Sequence, residues 1–324
     1  MTDEVLFSPG ELDRRAGFYV AGHRGLAGSA IVRKLEDAGF ENIITRTSAE
    51  IDLRDREPVF DFITAARPRY VVLAAGKVGG IMANSTYPVD FLSDNLRIQV
   101  NVLDAARAAG VERLLFLGSS CIYPKFAGQP IREDSLLTGP LEPTNDAYAI
   151  AKIAGILHVQ AVRRQYGLPW ISAMPTNMYG SNDNFSPTGS HVLPALIRRY
   201  DEATRADADS VTNWGTGSPR REFLHSDDLA DACLYLLEHY DGPEQVNVGI
   251  GTDVTIREIA ETISRAVGFT GQTLWDTRKP DGTPQKLLDV SKLTHLGWTA
   301  KIGLQQGIQQ TVDWYRYNVG TIRR

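Results

Sequence analysis

Cysteine is nearly absent from this chain: Cys121 and Cys233 are the only two among 324 residues. Two thiols cannot build a disulfide framework, and neither is spaced with histidines as a metal-ligand set would be. Reduced thiols and no bound metal are therefore expected. Long apolar runs are missing as well. No stretch reaches the roughly 18 residues of a membrane span, and Met1-Thr-Asp-Glu4 lacks the basic start and apolar core of a signal peptide. A cytoplasmic protein without membrane association is expected. Basic charge is in deficit, with 34 Lys and Arg against 39 Asp and Glu and a formal net charge of −5. That leaves no electrostatic footprint for nucleic acid or anionic lipid. An acidic ligand has to be met by a local pocket.

With 43% hydrophobic residues, the chain can bury a large core. Apolar runs at Phe18–Ala21, Asn42–Arg46, Tyr70–Ala75, Leu114–Gly118 and Trp170–Met174 read as strands. Helical patterns alternate with them near Ser29–Ala38, Val59–Ala66 and Pro88–Ala109, and Tyr148 opens another. Such alternation predicts a doubly wound α/β fold around a parallel sheet, of the Rossmann type. After about residue 180 the texture turns to Gly, Pro, Asn and Ser with intermittent helices at Val192–Tyr200, Asp227–His239, Ile256–Val267 and Leu304–Tyr317, and short strands at Val211–Trp214, Gln245–Gly249 and Thr273–Trp275. The expected division is a polar extension over 1–16, a nucleotide-binding domain over 17–180 to which 226–250 returns, and a mainly substrate-binding domain over 181–324.

The first strand runs into Gly22-His23-Arg24-Gly25-Leu26-Ala27-Gly28 and then a helix. Glycines in a strand-to-helix turn let backbone N–H groups approach a pyrophosphate, and the helix amino terminus adds about half a positive charge. About 20 residues on, where an acid would take the ribose 2′-hydroxyl of NAD, stand Arg46-Thr47-Ser48. An arginine there suits a 2′-phosphate, and Arg24 is a second candidate, so NADP is favoured. Asp52 and Leu53 are placed to flank the adenine.

At the end of the Leu114 strand comes Ser119-Ser120-Cys121, and farther on Tyr148 and Lys152 stand four apart. Residues at that spacing share one helical face, so an ammonium can lie beside a phenol and pull its pKa down from about 10. A hydroxyl at the strand end could then bind the same carbonyl oxygen that Tyr148 protonates. Cys233 sits among Leu229, Ala230, Ala232, Leu234 and Leu236 and reads as core.

This Ser…Tyr-x-x-x-Lys set resembles that of the short-chain dehydrogenase/reductases. Further motifs narrow the resemblance to the GDP-L-fucose synthase family within the extended branch of that superfamily. They are Ala21-Gly-His-Arg-Gly25, Ala75-Gly-Lys-Val-Gly-Gly-Ile81, Phe116-Leu-Gly-Ser-Ser-Cys-Ile-Tyr-Pro-Lys125, Leu141-Glu-Pro-Thr-Asn145, Tyr148-Ala-Ile-Ala-Lys-Ile-Ala-Gly155, Met174-Pro-Thr-Asn177, Asp183-Asn-Phe185, Ser190-His191, Arg221-Glu-Phe-Leu-His225 and Lys279-Pro-Asp-Gly-Thr-Pro284. In this order they span nearly the whole chain.

The resemblance implies conversion of GDP-4-keto-6-deoxy-D-mannose to GDP-L-fucose, by epimerisation at carbons 3 and 5 and then NADPH-dependent reduction at carbon 4. It implies Ser119, Tyr148 and Lys152 as the polarising set, Cys121 as base and His191 as acid, with Lys152 or His191 drawing the thiol toward thiolate. For NADP it adds Leu117, Gly118, Ser119, Ser120, Lys152, Pro175, Thr176, Asn177, Met178 and His191 to the glycine turn. For the GDP-sugar substrate it points to Arg199, Trp214, Arg221 and Asp281. A homodimer through the helices near 90–109 and 148–165 is implied too. Ser48 departs from the family, whose members often carry a second arginine there, which weakens the exclusion of NAD. The rival readings are another NADP-dependent nucleotide-sugar epimerase or reductase, and a non-catalytic NADP-binding sensor. Ser120-Cys121 stands where dehydratases place an acidic pair, and an intact Ser119, Tyr148 and Lys152 argues against a sensor.

Overall fold

The computed structural model describes residues 10–187, 189–279 and 281–322. Its first half winds β1 (Phe18–Ala21), α1 (Leu26–Asp37), β2 (Ile43–Ile44), α2 (Arg56–Ala66), β3 (Tyr70–Leu73), α3 (Ile81–Thr86), α4 (Pro88–Ala108), β4 (Arg113–Leu117), α5 (Asp146–Tyr166) and β5 (Ile171–Pro175). Then follow β6 (Asn177–Tyr179), α6 (Val192–Arg205), β7 (Ser210–Trp214), β8 (Arg220–Arg221), β9 (Phe223–His225), α7 (Ser226–His239) and β10 (Val246–Val248). The chain ends with β11 (Val254–Thr255), α8 (Ile256–Val267), β12 (Gln272–Asp276), β13 (Gln285–Lys286), α9 (Ser291–His295) and α10 (Leu304–Asn318).

The apolar runs of β1, β3, β4 and β5 are buried throughout, as strands covered on both faces must be. They form a parallel sheet in the order β10-β5-β4-β3-β1-β2. One face carries α1 and α7, with Ile31, Leu35, Leu229 and Leu236 in its core. The other carries α2, α4 and α5, with Val59, Ile63, Val102, Ile153 and Ile156. The doubly wound α/β expectation holds. The strand order turns at β1 and β3, and the crevice beyond their carboxyl ends is where such sheets take ligands.

A third apolar cluster joins α6, α8 and α10 through Leu196, Ile197, Ile259, Ile263, Ile308 and Val312. The sequence explains α8 closely: Thr255 and Glu258 form a reciprocal capping box, and Gly268 ends the helix in the left-handed region. Around it lie small sheets, β11-β8-β13, β12-β7 and β6-β9.

Several elements depart from expectation. Helix α1 starts at Leu26 rather than Ser29, because Gly25 is its extended N-cap. The strand expected over 42–46 shrinks to Ile43–Ile44. The long helix is preceded by α3, a separate turn ended where Tyr87 leaves the helical region and Pro88 starts α4. The strands β6, β8, β9, β11 and β13 have two or three residues each, too few for a period-2 pattern. Of the expected extension, residues 1–9 lie outside the described residues. Beyond them Leu12 is buried, its N–H donates to Glu238 Oε1 at 3.3 Å, and Arg14 pairs with the same carboxylate at 2.8 Å.

Candidate active site

Helix α5 reaches the site because it lies unusually close to the sheet. A methyl group on Gly155 would stand 2.3 Å from the Phe116 ring, so only glycine allows this approach. The contact lets Lys152 donate from Nζ to the Leu117 carbonyl at 2.9 Å and stand 5.8 Å from the centroid of the Tyr148 ring. One turn earlier, Tyr148 packs edge-on against Phe91 of α4. Cys121 joins them in the same cluster, and Cys121 and Tyr148 each keep 9% exposure.

Ser119 is extended and caps a 3₁₀ turn over Ser120–Ile122, its Oγ accepting the Cys121 N–H at 3.4 Å. Its hydroxyl faces both the Tyr148 phenol and the Cys121 thiol. A hydroxyl, a phenol and a thiol are therefore close neighbours at the end of β4. His191 arrives from another element, as the extended N-cap of α6. Gly80 N–H donates to the Gly189 carbonyl at 3.2 Å, tying that loop to the start of α3. The residue as a whole is exposed, while neighbouring groups take solvent from its ring.

Electrostatically the site differs from the expectation. Burial pushes the Tyr148 phenol up, and the neighbouring Cys121 adds to this while the Ser119 hydrogen bond opposes it. A nearby ammonium does not lower it, because loss of solvent outweighs the cation and Lys152 is itself pushed down to about 8 by burial. Burial also pushes the Cys121 thiol up; the charge that opposes it first is Lys286, ahead of Lys152. Burial of the ring holds His191 below the ordinary imidazole range, and the charge of Lys286 adds to this. Lys286 was not among the sequence candidates. It is half-buried on β13, paired in register with Arg221, and a two-residue strand gave no signal.

The glycine turn fits a dinucleotide. Gly22 has φ 89°, a methyl there would meet Ala75 N at 2.7 Å, and one on Gly28 would meet the Gly22 carbonyl oxygen at 2.1 Å. Side chains are excluded where a pyrophosphate needs backbone. His23 Nδ1 is buried without a hydrogen-bond partner among the described residues. Arg24, Arg46 and Ser48 are exposed at the rim, and Arg46 lies over the Phe62 ring at 4.9 Å. The Asp52 carboxylate is engaged by Arg54 at 2.6 Å, and the Leu53 carbonyl accepts from Asn101 at 3.0 Å. Gly118 is pressed on Met174. Thr176 and Asn177 follow β5, and both donate to the carbonyl of Glu222.

On the other wall, Trp214 is 64% exposed, with Lys279 Nζ 5.3 Å from its ring centroid. Arg221 is half-buried and donates to the Arg220 carbonyl at 2.7 Å. Arg199 on α6 donates to the Thr212 carbonyl. Asp281 differs from the other three, since its oxygens are engaged by Thr216 N–H at 2.9 Å and Oγ1 at 2.7 Å, bracing the turn after Trp214.

A Rossmann sheet with a glycine turn at its crevice and Ser119, Tyr148 and Lys152 beside it defines an NADP-dependent reductase of the extended short-chain class. The chain belongs to the NAD dependent epimerase/dehydratase family, whose model matches residues 18–249, and within it to the GDP-L-fucose synthases. It is 61% identical to GDP-L-fucose synthase 1 of Arabidopsis thaliana over 307 residues, 95% of each chain. It is 51% identical to GDP-L-fucose synthase of Escherichia coli (strain K12), covering 94% of this chain and 98% of that one. The structure of a GDP-L-fucose synthetase from Naegleria fowleri bound to NADP matches over 100% of both chains, with a TM-score of 0.92 and 29% identity.

Proposed function

We propose that this enzyme converts GDP-4-keto-6-deoxy-D-mannose to GDP-L-fucose in two steps, epimerisation at carbons 3 and 5 followed by NADPH-dependent reduction of the 4-keto group. The observation that carries the reading is the clustering of Ser119, Cys121 and Tyr148, with the Ser119 Oγ capping the Cys121 N–H and Cys121 packed in one cluster with Tyr148. Epimerisation next to a ketone needs donors on the oxygen, to stabilise the enolate, and a base at the adjoining carbons. A plain reductase needs only the donors.

Ser119 and Tyr148 hold the carbonyl oxygen of the sugar, and Tyr148, protonated at neutral pH, gives it the final proton. Cys121 removes the protons from carbons 3 and 5, and His191 returns protons from the opposite face. Lys152 holds the Leu117 end of the strand and keeps a positive charge under the phenol. Arg24, Arg46 and the turn Gly22–Gly28 hold NADPH, which when bound supplies hydride to carbon 4. Arg199, Arg221 and Trp214 take the GDP half, since arginine forks match a diphosphate and an indole offers a plane to guanine.

The reading extends to a homodimer through the outer faces of α4 and α5, where Val100, Ile150 and Leu157 are exposed. It also extends to a cytoplasmic location, supported by two free cysteines; no described helix is long and apolar enough to cross a membrane. The test is incubation with GDP-4-keto-6-deoxy-D-mannose and NADPH, with NMR of the product. GDP-L-fucose is expected; the unepimerised 4-reduced sugar would sink the proposal. Light scattering at the mass of a dimer tests the assembly.

A further inference from the structure

Glu222 has none of its surface exposed, yet it is a carboxylate between two strands that face the site. Its Oε1 accepts the N–H groups of Ile250 at 2.6 Å and Gly251 at 2.8 Å, and its Oε2 accepts the Leu288 N–H at 3.1 Å. Its backbone works in parallel: the carbonyl accepts from Asn177 Nδ2 at 2.9 Å and from Thr176 Oγ1 at 3.4 Å, and the N–H donates to the Lys286 carbonyl at 3.4 Å. The fit is tight, since a methyl on Gly249 would stand 2.2 Å from Oε1. One residue thus joins the loop after β5, the loop after β10, and β13.

The neighbours of this clasp carry charge. Arg221 precedes Glu222, Lys286 pairs with Arg221 in register, and Leu288 lies two residues beyond Lys286. We propose that Glu222 is a positioning residue, its carboxylate setting the place of Arg221 and Lys286 against the loop of Thr176 and Asn177 so that the GDP half of the substrate is held in line with the cofactor. The proposal rests on the function read above. A buried charge costs several kcal/mol to desolvate; burial raises the Glu222 carboxyl above the ordinary glutamate range, and the N–H groups of Gly251, Leu288 and Ile250 oppose that rise. Such a carboxylate tolerates no neutral substitute well: glutamine has one oxygen, so its amide N–H₂ must face either Leu288 N–H or the Ile250 and Gly251 pair, donor against donor.

The sign of the effect separates positioning from electrostatics. If Glu222 acted only through its charge, E222Q would remove a negative group beside Arg221 and Lys286 and tighten binding of an anion. Positioning predicts the reverse.

The experiment titrates GDP into wild type, E222Q and E222D by calorimetry, measures NADPH affinity separately, and records the KM for the sugar. For E222Q we expect GDP affinity and KM to worsen about tenfold, about 1.4 kcal/mol. NADPH affinity should stay within about twofold, because Thr176 and Asn177 use the carbonyl that the substitution keeps. E222D, which keeps the charge, should recover part of the loss. Unchanged or tighter GDP binding, or a parallel fall in NADPH affinity, overturns the proposal. So does failure of both variants to fold, which would make the clasp a folding determinant only. A wild type that binds GDP but leaves the sugar unchanged defeats the functional reading and not this one.

Discussion

The ammonium of Lys152 is bonded to the carbonyl of Leu117 at 2.9 Å, so it serves the strand end as well as Tyr148. A protonated phenol beside an ammonium that titrates near 8 is an acid poised to give a proton. The ammonium is charged below that pH and neutral above it. The reduction rate of pre-epimerised substrate should therefore fall above about pH 8 in the free enzyme. Lys152→Arg, which stays charged, should move the fall to higher pH if it folds. Tyr148→Phe should lower the rate by about 10²- to 10⁴-fold. Near-normal NADPH oxidation by the phenylalanine variant would remove Tyr148 from proton transfer.

Cys121 needs help to ionise, because burial works against its thiolate. Lys286 gives the largest favourable charge, so removing it should raise the thiol pKa. We expect Lys286→Met to shift the pH profile of iodoacetamide alkylation at Cys121 upward by about one pH unit, equivalent to about 1.4 kcal/mol. Cys233, pushed up to about 12 by burial, should stay unreactive and serves as the internal control. A profile that does not move would leave Lys152 as the relevant cation. In a companion measurement, Cys121→Ser should abolish solvent deuterium entry at carbons 3 and 5 while NADPH still binds.

Strands with four consecutive apolar residues, such as Tyr70–Leu73 and Leu114–Leu117, were legible because both faces of the sheet are buried. The glycine turn, Ser119, Tyr148 and Lys152 were legible because spacing alone puts them at strand ends and on one helix face. Lys286 and Glu222 were not. Lys286 lies on a two-residue strand and Glu222 between two short ones, too short for a period, and their partners lie far away in sequence: Glu222 and Leu288 are bonded across 66 residues. The upward Tyr148 shift is illegible in sequence for a related reason, since four-residue spacing reveals a charge neighbour but not the depth of burial that outweighs it. Asp281 is implied as a substrate contact by the resemblance alone, and the fold adds that its carboxylate accepts from Thr216 N–H and Oγ1.

The cofactor rim carries its own prediction. Arg46 and Arg24 are exposed, and the Glu50 carboxylate lies within their electrostatic reach while capped by Thr47 N–H and Oγ1 at 2.7 and 2.8 Å. Ser48 offers no second guanidinium. Arg46→Ala should therefore weaken NADPH by roughly tenfold, about the worth of a charge-assisted pair, and NADH by much less. Fluorescence titration with each nucleotide checks this. An equal loss for both would place Arg46 away from the 2′-phosphate.

Asp183 gives a prediction about stability rather than chemistry. Its side chain is buried, one oxygen accepts the Asn184 N–H at 2.7 Å, and Oδ2 has no partner among the described residues. Burial raises this carboxyl to about 7. A group whose folded pKa lies above its unfolded value opposes folding as pH rises from the unfolded pKa, and the cost is complete above the folded one. Asp183→Asn keeps an acceptor for Asn184 and removes the charge. It should stabilise the protein by ~1–3 kcal/mol at pH 8, by less near pH 6, and by only a few tenths of a kcal/mol near pH 4, where the folded carboxyl is protonated and the unfolded one about half ionised. Urea unfolding at the three pH values measures the difference. A gap that stays constant with pH would mean that Asp183 ionises in the folded protein as freely as in the unfolded one, and a loss of stability at pH 8 would mean that the charge finds a partner in solution.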